Sequence, residues 1–219
     1  MPNTTVQRFT EQLRQANFQT WEDAVGHRFV QEIFAGTVPQ PVMAQYLIQD
    51  HRFLDSFLTL LGGAIATADT FEARLRFGRF AGMVSGDENT YFLRAFEALG
   101  VTPTQREQTP DTTSTQGFSA IMREAAATRE YAAILAVLNV AEWLYQDWAT
   151  RGTKPLPKDF VHAEWVTLHD NAFFNDFVAF LRSELDRVGP TQQAIAHDFF
   201  GRAVGLELNF FDQAYQVPH

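Results

Sequence analysis

Apolar residues recur at three- and four-residue intervals along nearly the whole chain, a period that predicts helices rather than strands. Val6, Phe9, Leu13 and Ala16 form one stripe over residues 4–17. A second short helix follows Asn17, passes through His27-Arg28-Phe29-Val30 and closes near Gly36. Pro39 and Pro41 open a long helix, QPVMAQYLIQDHRFLDSFLTLLGGAIAT, since proline suits a first helical turn. Only Gly62-Gly63 interrupts it, as a bend or a point of close packing. Further helices are expected over about 69–83, 86–100, 114–127, 129–150, 159–168, 170–187 and 190–215. Alternating β-branched runs and Asn-Gly hairpin signals are absent. Residues 101–117, rich in Thr and Pro, are expected to be a long irregular connection of the kind that often lies over a site. RGTKPLP, 151–157, is a shorter break. No internal repeat or linker divides the chain, so the expectation is an all-α, single-domain helical bundle spanning 1–219.

The helix over 129–150 is apolar almost all round, which predicts a central position in the bundle. Its polar exceptions, Asn139, Glu142 and Tyr145 or Gln146, fall at i, i+3 and i+3/i+4 and form one inward stripe. Two other helices repeat this pattern. In YLIQDHRFLDSFL, Tyr46, Asp50 and Phe53 share a face, and in GLELNFFDQAY, Glu207 stands with Phe210 and Phe211. A buried carboxylate without a partner costs several kcal/mol, so each must be paired, protonated or facing a wet cavity. The structural alternative is pairing with an arginine such as Arg52, Arg79 or Arg202.

Composition narrows the function. The net charge of −9 and the scatter of Lys and Arg argue against a nucleic-acid surface. With no cysteine, disulfides, thiolate metal sites and thiol nucleophiles are excluded. The opening residues MPNTTVQRFTEQLRQ lack a signal-peptide core and no apolar run approaches a membrane span, so a cytoplasmic protein with no membrane partner is expected. The 21 phenylalanines are mostly core material; an aromatic pocket for a flat ligand is the alternative use for some of them.

Five segments, HRFVQEIFAGTVP, YLIQDHRFL, GFSAIMREA, AEWLYQDWA and GLELNFFDQAY, together resemble the TenA family, the thiaminase II-like proteins of thiamin salvage, with their haem-oxygenase-like fold. HRFV resembles the family's HPFV, YLIQD its Y-x-x-QD, and WLY its WLY. Classical members place a nucleophilic cysteine two residues before the Trp of WLY, where this chain has Ala141. The next residue, Glu142, resembles the Glu-type branch, in which a glutamate replaces that cysteine. By the same resemblance Glu142 and Glu207 are the catalytic residues. Asp50 anchors the pyrimidine, Phe53 and Tyr145 line the site, and two family tyrosines fall on Phe118 and His169, the latter through the Trp165 match in HAEWVTLH.

The resemblance implies C–N hydrolysis of aminopyrimidine fragments of thiamin, such as aminomethyl- or formylaminomethyl-pyrimidine, in a homodimer or homotetramer. On chemical grounds Phe53, Phe118 and Phe211 would sandwich the flat ring while Asp50 binds its nitrogen and amino group. Two neighbouring glutamates separate in pKa, leaving one as base and one as proton donor. No cofactor and no metal are expected. A diiron oxidase of the same fold would need several inward histidines, but His169 has Phe173 at i+4 and Asp176 at i+7. There is no E-x-x-H, and the lone D-x-x-H is Asp159–His162. His27 is expected to support the N-terminal turn, and His51 to act in or just behind the site. The remaining alternative is a catalytically silent aminopyrimidine-binding or regulatory protein, though no basic recognition helix is present for direct DNA contact.

Overall fold

A computed structural model describes residues 7–152 and 154–216. Val6 of the first stripe lies outside the described residues. Among the described residues there is no strand, and twelve α-helices account for most of the chain. They are α1 (Phe9–Ala16), α2 (Phe18–Val25), α3 (Arg28–Ala35), α4 (Gln40–Thr67), α5 (Phe71–Met83), α6 (Asn89–Ala98), α7 (Pro103–Gln108), α8 (Thr113–Thr128), α9 (Tyr131–Arg151), α10 (Phe160–His169), α11 (Ala172–Val188) and α12 (Gln193–Ala214).

Helix α9 is the axis of the bundle. Every residue from Tyr131 through Tyr145 is buried, because α12, α11, α8 and α4 pack around it on all sides. Helix α4 is the longest, with Pro41 in its first turn, and it continues unbroken through Gly62-Gly63. A Cβ on Gly63 would sit 3.2 Å from the Ala126 Cβ and 3.3 Å from the Ile134 side chain, so this glycine lets α4 and α8 approach closely. Gly62 meets nothing, so Gly63 alone marks close packing, and the helix does not bend here. Near the N-terminus α2 and α3 are separated at Gly26-His27. His27 caps α3 by accepting a hydrogen bond from the Phe29 N–H at 3.1 Å, and Gly36 ends it with φ of 65°. Ala16 is exposed, so the first stripe is carried by buried Phe9 and Leu13.

Two segments depart from the sequence expectation. Residues 101–117 are not an irregular loop. Thr102 and Gln105 form a capping box around Pro103 and start α7, and Thr112 caps α8. The short stretch between those helices is strapped to α4. Arg52 pairs with Asp111 at 2.6 Å and donates to the carbonyls of Arg106 and Thr109; Gln49 donates to the Pro110 carbonyl at 2.9 Å. The second departure joins α5 to α6: Val84–Glu88 form a π turn, in which the Asn89 N–H reaches back five residues to the Val84 carbonyl. A π turn holds one extra residue, re-aiming the side chains it carries.

Candidate functional site

Helices α4, α9, α10 and α11 and the π turn line a small, partly enclosed cavity of about 40 Å³. Asp50 comes from α4, Glu142 from α9 and Glu88 from the π turn. Aromatic rings make up much of the rest, including Phe53, Tyr145, Trp165, His169 and Phe174. Among the described residues no Lys or Arg lines it. Ala141, at the position of the cysteine in classical TenA proteins, is on the wall beside Glu142.

Asp50 and Glu142 are each 7% exposed and Glu207 only 2%. No ion pair among the described residues involves any of the three. The proposed arginine partners are engaged elsewhere: Arg52 holds Asp111 and the strap, and Arg202 pairs with Glu124 and Asp198. Arg79 lies in an outer hollow. Among the described residues Asp50 Oδ2 and Glu207 Oε1 have no hydrogen-bond partner.

The electrostatics follow from that isolation. Burial pushes the Asp50 carboxyl well above the usual range, Glu88's charge adds to the rise, and the Tyr46 hydroxyl opposes it. Burial, then the charges of Glu88 and Asp50, do the same to Glu142. Glu207 is raised by burial and then by Asp50 and Glu142. Glu88 is half-buried, and desolvation brings it to about 7. The acids thus act on one another in turn: Glu88 bears on Asp50 and Glu142, and these two bear on Glu207.

Tyr145 and Tyr46 join hydroxyls at 2.8 Å. His169 Nδ1 lies 2.8 Å from the Trp165 carbonyl. A carbonyl only accepts, so Nδ1 carries the proton and Nε2 is left as an acceptor. Burial lowers the imidazole to about 4, keeping the ring neutral near pH 7. Its ring packs against Trp165 at 4.5 Å and Tyr145 at 4.9 Å between centroids.

Of the residues expected at the site, Asp50, Phe53, Glu142, Tyr145 and His169 line the cavity. Glu207 does not reach the wall; it is buried behind it. Phe118 and Phe211 are likewise not on the wall, so the expected three-ring sandwich is corrected. Phe118 meets Phe53 edge-on at 5.2 Å and backs it, while Phe211 packs against Phe29 and His27. The polar stripe of α9 also divides. Asn139 donates to the carbonyls of Leu135 and Leu181, and Gln146 donates to Asn175, leaving Glu142 and Tyr145 for the cavity. His51 turns away to Asn89 at 2.9 Å and lines a separate surface groove. Among the described residues no three His, Asp or Glu side chains are grouped to hold a metal ion. None of the described helices is long and apolar enough to cross a membrane. Glu88 was not singled out in the sequence, and VSGDENT carries little to reveal it beyond small polar residues inside a helical pattern.

The all-helical bundle has a haem-oxygenase-like fold. The fold superposes on a Shewanella denitrificans domain described as having a heme oxygenase-like fold, with a TM-score of 0.69 at 14% identity over 94% of this chain and 92% of that one. It matches a TenA homologue from P. horikoshii more tightly, with a TM-score of 0.83 at 19% identity over 97% and 100% of the two chains. The chain belongs to the TENA/THI-4/PQQC family, whose model matches residues 14–217, and is TenA-like within it. A Bacillus subtilis relative described as an aminopyrimidine aminohydrolase is 25% identical over 175 residues, covering 78% of this chain and 72% of that protein.

Proposed function

We propose that this protein is a Glu-type TenA hydrolase acting on aminopyrimidine fragments of thiamin, with Glu142 replacing the cysteine nucleophile of its classical relatives. The observation that carries the reading is the meeting of Asp50 and Glu142 on the wall of one aromatic cavity, with Glu207 buried behind it and no basic residue among them. The family and the B. subtilis relative's activity support the substrate class.

In this reading the flat ring lies against Phe53 and the Tyr145–Trp165–His169 wall. Asp50, protonated by its surroundings, donates to a ring nitrogen and accepts from the exocyclic amino group. Water adds to the carbon of the scissile C–N bond: its hydroxide stays on carbon, and its proton passes through the glutamates to the departing nitrogen. Glu142, on the wall, exchanges the proton with water. Glu207, deeper and likewise kept protonated by its burial, is the reserve that resets it. The neutral His169 presents Nε2 as an acceptor that orients the water or the amine.

The test is a panel of aminopyrimidines, aminomethyl and formylaminomethyl derivatives included, followed by mass spectrometry with Glu142→Gln as control. Loss of ammonia or formate that depends on Glu142 supports the reading. Ligand-dependent stabilisation without turnover would instead indicate a binding protein of the same fold.

A further inference from the structure

Glu88 is the acid that the catalytic scheme leaves without a task. It lines the same cavity as Asp50 and Glu142, and its charge bears on both. Like-charged acids in one enclosed space repel, and here no Lys or Arg on the wall relieves them. The imidazole on the wall, His169, is neutral near pH 7 and supplies no positive charge. Asp50, nine-tenths buried on the wall, keeps an oxygen with no partner. These conditions suit a ligand that brings its own positive charge and hydrogen-bond donors.

The position of Glu88 says which part of the ligand that is. Met83, Leu168 and Phe174 line both this cavity and an outer hollow that holds Asp87. The π turn therefore stands at the outward side of the cavity, while Glu207 lies behind its inner wall. A ring held by Asp50 directs its substituent toward one of these sides, and the half-buried Glu88 is the acid with the least desolvation to overcome when it ionises.

We propose that Glu88 is a specificity-determining residue that selects a protonated primary amine on the substrate's ring substituent, so that the cavity prefers the aminomethyl cation over its neutral N-formyl derivative. This deepens the aminopyrimidine reading and rests on it for the identity of the ring. The ammonium group would donate a charge-assisted hydrogen bond to the Glu88 carboxylate. The N-formyl derivative has one neutral N–H and no charge to offer.

The experiment measures Kd by calorimetry, and kcat/KM where turnover occurs, for both pyrimidines with the wild type, Glu88→Gln and Glu88→Asp. The cation is expected to bind better to the wild type. Glu88→Gln should reduce the cation-to-neutral ratio by roughly 10-fold or more, the scale of a lost hydrogen bond to a charged group. Glu88→Asp, which keeps the charge, should retain part of the preference and serves as the informative variant if Glu88→Gln does not fold. A second pair of probes, benzylammonium and N-benzylformamide, lacks the pyrimidine. If neither pyrimidine binds but the benzyl pair shows a preference that depends on Glu88, the aminopyrimidine reading fails and amine selection stands. A ratio unchanged by Glu88→Gln, or no preference for the cation in either pair, overturns the proposal.

Discussion

Helix α9 carries acids in two settings. At Glu142 it faces the cavity, and among the described residues no basic side chain pairs with it. One turn and a half further on, Asp147 pairs with Arg151 at 2.7 Å and with Arg14 at 3.2 Å, and it accepts the Trp21 indole N–H. Arg151 and Arg14 also hold Glu22 from α2. The hydrogen bond from Arg151 is the largest influence on Glu22 and draws its carboxyl below the usual range, whereas burial drives Glu142 the other way. Arginines neutralise carboxylates around the outside of the bundle and are missing where three acids meet inside it. The outer network is built to hold helices together, and the inner group is left open to a ligand.

The sharpest break of that comparison is to neutralise each setting in turn. Glu142→Gln and Glu207→Gln should lower kcat on an aminopyrimidine by roughly 10²-fold or more, the scale for losing a positioned acid or base. Their melting temperatures should stay level or rise, since each glutamine mimics a protonated acid without a buried charge. Near-wild-type turnover with a clear drop in melting temperature would make both residues structural. Asp50→Asn should weaken binding by roughly 10-fold with a smaller change in kcat, because its part is to hold the ring. Steady-state kinetics that put the whole loss into kcat would move Asp50 into the chemistry.

The two settings also respond to pH with opposite sign. A carboxyl raised in the folded state binds more protons there than when unfolded, so its contribution to stability is present below the ordinary carboxylate range and is lost as pH rises. For Glu88 that loss spans about 4.3, the ordinary Glu value, to about 7. Its slope is at most about 1.4 kcal/mol per pH unit. Glu22 does the reverse: its contribution is present above the ordinary range and is lost as pH falls through its lowered folded value. Denaturant melts between pH 4 and 7 should therefore show Glu88→Gln flattening the decline toward neutral pH. An unchanged slope would mean that Glu88 is not titrating in this window. The smallest effect belongs to the outer network. Arg151→Ala should cost about 1 kcal/mol or less, typical of exposed ion pairs, with turnover unaffected. A large loss of activity would tie that network to the cavity.

Much of the bundle was legible because the sequence is consistent at every level. The long apolar run of α9 announced a buried central helix, and the spacing of Asp50, Glu142 and Glu207 marked isolated acids on inward faces. What failed has physical causes. Spacings of i+3 and i+4 confine side chains to a broad arc, not to one neighbour, so Asn139 and Gln146 found partners on α11 while Glu142 met the cavity. Phe118 and Phe211 sit on inward faces, but a pattern cannot tell a ring on the wall from a ring behind it. The capping box at Thr102 was readable in principle, though its Thr- and Pro-rich surroundings resemble a loop. Glu88 was out of reach because its direction depends on a backbone hydrogen-bonding register that no side-chain periodicity encodes.

The π turn at Val84–Glu88 also has an evolutionary reading. Such a turn is what a regular helix becomes when its chain gains one residue. Removing one residue between Met83 and Asn89 would close it into ordinary α-helix, rotating one flank by roughly 100° relative to the other. Glu88 would then swing off the cavity. A one-residue gap here would alter ligand preference as surely as any exchange of side chains.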